Sequence, residues 1–405
     1  MGNRSEDRAG GIRRLPRNVW AASAASFFMD ISSEMVLNLL PLFLSSVLGV
    51  QTTFIGLIEG VGEATSSLLR IVSGLLSDRF GSRKWLAVSG YAISAVMKPV
   101  FYVANTWLTV AGARWGDRVG KGIRTAPRDA LIADSIDKER RGLAFGFHRA
   151  ADTAGAMLGI LGALLAVWLT QGSASHLQAH TFRMIVLISL VPAFVAVLAL
   201  AVGAREVVLK RSGDPSLSFR RLGRPFGFFL VLVAIFELGN SADAFLVLRA
   251  QSLGASVLGI LGMLAAFNLV YSVISAPVGA LSDRIPRRAL IVGGWFAYAA
   301  LYVGIGVTRV GWSMWLFYLL YGSYYGAAYG TTRAFVADLV PAELRGTAYG
   351  AYATVVGVLS LPASLVAGVF WDRFGPASPF LFDGGLAFLA ALGLLLWRPP
   401  LAKSA

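Results

Sequence analysis

The chain has no cysteine among its 405 residues, which excludes a disulfide framework, thiol chemistry and iron–sulfur ligation. It has three histidines, His148, His176 and His180, and none sits at metal-ligand spacing, so no metal centre is expected. Charge is scarce as well: 14% of residues are Asp, Glu, Lys or Arg, against roughly 25% in a soluble globular chain. Apolar residues take their place, at 56% of the chain with a mean hydropathy of +0.66. Too little polar surface remains to cover a soluble core of this size. The composition excludes a disordered chain and identifies an integral membrane protein. Acidic residues are in deficit, 22 against 36 basic ones, leaving a formal charge of +14. In a membrane protein such a surplus first sets orientation, because Lys and Arg collect in cytoplasmic loops. No nucleic-acid partner is expected.

Crossing the hydrocarbon takes about 20 mostly apolar residues as a helix. Segments of that kind fall near 18–48, 53–77, 85–104, 107–134, 143–170 and 182–203, then near 226–250, 256–281, 289–308, 312–338, 346–371 and 380–397. The fold class is therefore all-α integral membrane, with twelve transmembrane helices in two sets of six. Between the sets lies a basic stretch with Arg205, Lys210, Arg211, Arg220, Arg221 and Arg224. The expected organisation is an N-terminal six-helix bundle over 1–204, a cytoplasmic linker over 205–224, and a C-terminal bundle over 225–405. The tail and the loops after spans two, four and eight are also basic, while those around 49–52, 104–107 and 171–181 carry almost no Lys or Arg. Both termini are thus expected in the cytoplasm of a multi-pass cytoplasmic (inner) membrane protein. Span one lacks a small-residue cleavage site and reads as a retained span.

The halves echo each other. Gly74-Leu-Leu-Ser-Asp78-Arg79-Phe-Gly81-Ser-Arg83 recurs as Gly279-Ala-Leu-Ser-Asp283-Arg284-Ile-Pro286-Arg-Arg288. Ala130-Leu-Ile-Ala-Asp134 recurs at nearly the same offset as Ala334-Phe-Val-Ala-Asp338. Two bundles related by an axis along the membrane normal, facing each other across a central cavity, follow from such a repeat.

The Gly-x-Leu-x-Asp-Arg-x-Gly-x-Arg run between spans two and three, with its echo between spans eight and nine, resembles the signature of the major facilitator superfamily. Arg118-Val-Gly-Lys121-Gly122 is similar to the family's second motif, Arg-x-x-Gln-Gly, with Lys121 in place of Gln. The glycine run Gly155 to Gly162 on span five is similar to the exporters' third motif but lacks its closing Gly-Pro. The resemblance implies a secondary transporter, not an enzyme, that uses a proton gradient and no cofactor. It also implies a cytoplasmic gate of Gly74, Asp78, Arg79, Gly81, Arg83 and Asp134, with Asp283, Arg284 and Arg288 as its second-half counterpart. In that gate Asp78 would cap the start of span eleven near Arg345, and Arg79 and Arg83 would pair with Asp134.

Ionisable groups at bilayer depth are costly and mark function by default. Span one carries Asp30 and Glu34 one turn apart, and span two carries Glu59, Glu63 and Arg70 on one face. Span five carries His148, Arg149 and Asp152. On span four, Arg114, Arg118, Lys121, Arg124 and Arg128 are spaced 4, 3, 3 and 4, a single helical stripe. That stripe cannot face lipid, and it is expected to line the cavity against carboxylates of spans one, two and five. Asp30, Glu34 and Glu63 are candidate proton carriers, with Arg118 biasing them. Structural ion pairs joining four helices are the alternative. In the second half Glu237, Asn240, Tyr321 and Tyr325 are candidate substrate contacts, part of a Tyr318, Tyr321, Tyr325, Tyr329 stripe that also suits plain packing.

The expected function is proton-coupled export of small organic compounds by alternating access, by a monomer whose partners are substrate, protons and lipid. The competing expectation is uptake or exchange of an organic anion or phosphorylated metabolite held by Arg118, Lys121 and Arg124.

Overall fold

The computed structural model describes residues 14–137, 140–207, 222–282, 285–341 and 344–397, with the side chains of 275–282, 327–330, 333 and 334 outside the description. Asp283 and Arg284 lie outside it, as do most of the basic tail and linker. Among the described residues the regular structure is helical. Span one is α1 (Arg17–Leu37), the short α2 (Leu40–Leu42) and a π-turn (Phe43–Val47). Spans two to six are α3 (Thr52–Phe80), α4 (Lys84–Val103), α5 (Trp107–Asp134), α6 (Arg141–Gln171) and α7 (Ala179–Gly203). Span seven is α8 (Gly223–Leu238) followed by α9 (Ala244–Ser252). The remaining spans are α10 (Val257–Ser282), α11 (Arg287–Val307), α12 (Ser313–Asp338), α13 (Arg345–Phe374) and α14 (Ser378–Leu396).

Eight of these units are long and apolar enough to cross a membrane. The other four expected spans depart from that pattern for visible reasons. Charge interrupts α3 and α5, tyrosines dilute α12, and span seven is broken. The first span of each half breaks at a corresponding place. Pro41 has no N–H for the Leu37 carbonyl, so α1 stops there and restarts as α2. In the second half Gly239–Asp243 separates α8 from α9.

Within the first half α1 packs on α6 and α7, and α4 on α5 and α7. Within the second, α11 packs on α14 and α12, and α10 on α12. The halves meet through α3 against α13 and α6 against α10. Glycine permits the first contact: a methyl on Gly60 would sit 2.8 Å from Leu361 Cα, and one on Gly368 would sit 2.6 Å from Thr53 Cα. These helices touch from the Thr52/Asp372 end to Ser67 and Gly357. Beyond that they diverge. Gly350 and Gly346 have no atom within 4 Å of a built Cβ, and the Asp78 side chain is 55% exposed.

The far side, away from both termini, is therefore closed, and the terminus side is open. Asp372 seals the far side by accepting from Thr52 N (3.1 Å), Thr53 N (2.8 Å) and Thr53 Oγ1 (2.6 Å), which caps the start of α3. Gln251 Nε2 donates to Ser46 Oγ at 2.8 Å, and Val257 N to Ala174 O at 3.1 Å. The residues that seal this side, Asp372-Arg-Phe-Gly375, repeat Asp78-Arg-Phe-Gly81 at the opposite end of the helix pair.

Several expectations for the gate need correction. Asp78 does not reach α13, which starts after Leu344 with no side-chain cap; it pairs with Arg83 at 2.6 Å inside its own loop. The halves stand apart on this side, so the carboxylate takes the nearest cation. Arg83 also reaches Asp134 at 3.2 Å, whereas Arg79 has no ion pair among the described residues. Gly81 ends α3 at φ 64°, a left-handed conformation that a side chain would strain, which accounts for the glycine. In the second half the partner of Asp338 is Arg287 at 2.6 Å, one residue before the expected Arg288. Arg288 instead donates to Leu394 O and Leu395 O at the end of α14. Pro286 starts α11 directly, which shifts the pairing residue by one place.

Candidate functional site

The first half collects its charge where α1, α3, α4, α5 and α6 converge. The α5 stripe faces inward, with Arg114, Arg118 and Arg124 buried. Charges so placed persist only when paired, since desolvation otherwise costs several kcal/mol per ion. Four pairs account for most of them. Arg114 Nη2 meets Glu59 at 2.5 Å, Arg118 Nη2 meets Glu63 at 2.6 Å, and Arg128 Nη2 meets Asp129 at 2.8 Å. Lys98, 0% exposed in the middle of α4, stands 3.6 Å from Asp117 and donates to Ser33 Oγ of α1 at 3.2 Å.

Outside these four pairs stand the carboxylates Asp30, Glu34 and Asp152 and the cations Arg70, Lys121, Arg124 and Arg149. Asp30 is half-buried on α1, and its charged neighbours are Asp152, Glu34, Lys121 and Arg124. It makes no hydrogen bond or ion pair of its own among the described residues. Glu34 accepts from Asn38 Nδ2 at 2.8 Å, beside the break in span one. Asp152 stands 3.6 Å from His148, whose other ring nitrogen faces Ser23. Arg124 donates to Ser94 Oγ at 2.5 Å and lies over the Tyr91 ring at 4.8 Å. Lys121 has no ion-pair partner within 4.0 Å among the described residues.

Of the three candidate carriers expected near Arg118, Glu63 is the one it pairs with among the described residues. The expected partners of the stripe came from spans one, two and five. The pairs formed draw on span two for Arg114 and Arg118, and on span three for Arg124.

In the second half the break in span seven places Glu237, Asn240, Ser241 and Asp243 within a few residues. Asn240 Nδ2 donates to Glu237 at 3.1 Å, matching the Asn38–Glu34 bond at the other break. Tyr321 OH donates to Asp243 at 2.8 Å, and Tyr298 OH donates to Gly239 O at 3.1 Å and to Asn240 Oδ1 at 3.2 Å. The aromatic group is continuous. Tyr321 lies 5.4 Å from Phe267, 6.1 Å from Tyr325 and 6.2 Å from Tyr324 between ring centroids. Tyr321 is buried by this packing, while Tyr325 stays partly exposed beside Tyr271. Arg149 of α6 donates to the Tyr271 hydroxyl of α10, joining the halves at the site. The Tyr329 side chain lies outside the described residues.

Sequence reasoning passed over Lys98, Asp243, Arg249, Asp372 and Asp383. Each interrupts or ends an apolar run (Ala-Val-Met-Lys98-Pro, Phe-Leu-Phe-Asp383-Gly), and that interruption was the available signal.

Two inward-charged helical halves, a pair of broken first spans and a crevice open to one side define a membrane transporter. The sequence model of the Major Facilitator Superfamily matches residues 22–361 and 227–405, and the chain belongs to that superfamily. Its members are transporters, not enzymes, and need no cofactor. An uncharacterized MFS-type transporter, MJ1317 of Methanocaldococcus jannaschii, is 35% identical over 396 residues, 95% of each chain. Multidrug resistance protein MdtG of Enterobacter lignolyticus is 25% identical over 321 residues, covering 77% of this chain and 75% of that protein. The crystal structure of the nucleoside transporter NupG matches with a TM-score of 0.76 at 14% identity, covering 93% of this chain and 99% of that one. The last likeness concerns the fold alone.

Proposed function

We propose that this transporter exports small organic compounds by exchange for protons, with Asp30 and Glu34 as the proton carriers. The observation that carries the reading is the unmatched Asp30. Four ion pairs satisfy most of the intramembrane charge, and this carboxylate is left facing the crevice with Glu34 and Asp152 nearby. Asp152 and Glu34 oppose a further negative charge at Asp30. Lys121 and Arg124 act the other way, so local geometry decides the balance. The likeness to a multidrug resistance protein supports the export direction.

In this reading the terminus side faces the cytoplasm of the cytoplasmic membrane, in keeping with the basic loops. The bundles 1–204 and 225–405 rock about the site as a monomer, joined by 205–224. The tyrosine and phenylalanine walls of the second half receive the apolar part of the substrate, with Glu237, Asn240 and Tyr325 at its edge.

A ligand-stabilisation screen of the purified protein across lipophilic amines, nucleosides, dipeptides and organic anions identifies substrates. Proton flux driven by the hits is then followed in proteoliposomes with an entrapped pH dye. Asp30→Asn should abolish substrate-driven proton movement, and Glu34→Gln should reduce it several-fold. Flux unchanged in both variants overturns the assignment.

Lys121 favours a second reading, transport of an organic anion, because its ammonium is not consumed by an ion pair. Arg118 and Arg124 are already engaged, so the anion would rest on Lys121. Lys121→Gln should then weaken anion stabilisation at least tenfold and leave proton flux intact; unaltered affinity counts against this reading.

A further inference from the structure

A second carboxylate is enclosed in the other half, far from the α5 network, and nothing above assigns it a role. Asp383 stands in the first half of α14 with no solvent exposure. One of its oxygens, Oδ2, accepts from Ser241 Oγ at 2.5 Å, and the other, Oδ1, is buried with no hydrogen-bond partner. No Lys or Arg among the described residues lies within ion-pair distance of it. The groups that face it are Ser241 from the break in span seven and the Tyr298 and Tyr302 rings of α11. Tyr298 spends its hydroxyl on Gly239 O and Asn240 Oδ1. Arg249, on α9, spends its guanidinium on the carbonyls of Ile305, Gly306 and Thr308. Within the packing around α14, α13 contributes Ser364, which accepts from Ala242 N, and α8 ends in Glu237, which Asn240 holds.

A naked carboxylate in such surroundings would carry the full cost of an unpaired buried charge. The donors that face it, the Ser241 hydroxyl and the Ser241 backbone N–H, carry no compensating charge. A sodium ion would require several oxygen ligands, and the described contacts supply one hydroxyl. A proton needs only one. With Oδ2 shared with Ser241 as an O–H···O bond, Oδ1 is left as a neutral carbonyl oxygen, whose missing donor costs less than an unpaired buried charge.

We propose that Asp383 is a proton-binding site of the second half, and that Ser241 couples its occupancy to the break in span seven. Ser241 lies between α8 and α9, so the Asp383–Ser241 bond pins the joint of the broken helix to α14. When the proton leaves, the carboxylate must find water, and it can do so only if the joint moves. The site is distinct from Asp30 and Glu34 and stands whether or not those residues carry protons.

The test uses the full-length protein without substrate, in lipid nanodiscs, by infrared difference spectroscopy between acidic and alkaline buffer in H2O and D2O. A protonated buried carboxyl gives a carbonyl stretch separate from the amide bands. Asp383→Asn should remove one such band, while Asp30→Asn leaves it in place. Ser241→Ala should keep the band and shift it, because the acid loses its hydrogen-bond partner. A full set of acid bands in Asp383→Asn at every pH overturns the proposal. If Asp383→Asn does not fold, Ser241→Ala decides: an unshifted spectrum overturns it. A band that appears only when sodium is withdrawn also overturns it, since the resident would then be a metal cation.

Discussion

At the residue scale, Lys98 is a cation with no exposure at all. It answers Asp117 and reaches across to Ser33 on α1. Removing one member of a buried pair strands the other, at about 3–5 kcal/mol. Lys98→Met is therefore expected to lower thermal stability of the purified protein by that order, and Lys98→Met combined with Asp117→Leu should lose less than Lys98→Met alone. Thermal unfolding of both single variants and the double in detergent checks this; losses that simply add would show that the charges act independently. This residue also shows where sequence reading stops. The stripe on α5 was legible because five cations recur with helical spacing. Its pairings were not, because periodicity gives a face and not the neighbour opposite it. Arg118 was expected beside Asp30, Glu34 and Glu63, and the spacing could not tell that Glu63 is the one it pairs with.

At the scale of elements, α3 and α13 are held by missing side chains. A branched side chain at Gly60 or Gly368 would meet backbone atoms that cannot withdraw, whereas Gly350 faces open space in this state. Gly60→Val and Gly368→Val are expected to prise the far side open, and Gly350→Ala to change stability by no more than about 0.5 kcal/mol. The chain lacks cysteine, so a reporter can be placed freely. Ser364→Cys, buried beside α3, should label slowly in the parent and at least several-fold faster with Gly60→Val. Equal rates would refute the contact's role. Eight of the expected spans were legible from hydropathy, and the other four from their length and place in the repeat, with ends good to a few residues. The breaks were not: in span one the apolar run continues through Pro41, and in span seven the polar Gly239–Asp243 stretch lies inside a run apolar on both sides. Pro41 and Gly239 carried the local signal, but a kinked helix and an interrupted one share it until neighbours are known.

For the whole molecule, the expectation concerns which side opens. Asp372→Asn removes the charge that caps α3, and should raise the far-open population. The cysteine at Ser364 reads that opening, and one at Gly346 reads closure of the terminus side through lost labelling. The two rates should move in opposite directions; movement of one alone would show local fraying in place of a rocking of halves. The repeat in the sequence predicted two related bundles. It could not show which face was closed, because the same chain must support both arrangements.

The duplicated Asp-Arg-Phe-Gly gives this balance a thermodynamic meaning. Opening the far side gives up hydrogen bonds from Thr52 and Thr53 to Asp372, and a hydrogen bond to a charged group contributes about 1.5–3 kcal/mol. On the other side α13 begins with amides that no side chain caps, and Asp78 waits on the matching helix. If Asp78 left Arg83 to cap α13, a like cap would replace the one lost, drawing the two states toward equal energy. Near degeneracy lets a weak stimulus work. A differential affinity of about 1.4 kcal/mol shifts such an equilibrium tenfold, so a loosely held substrate would be enough to turn the molecule over.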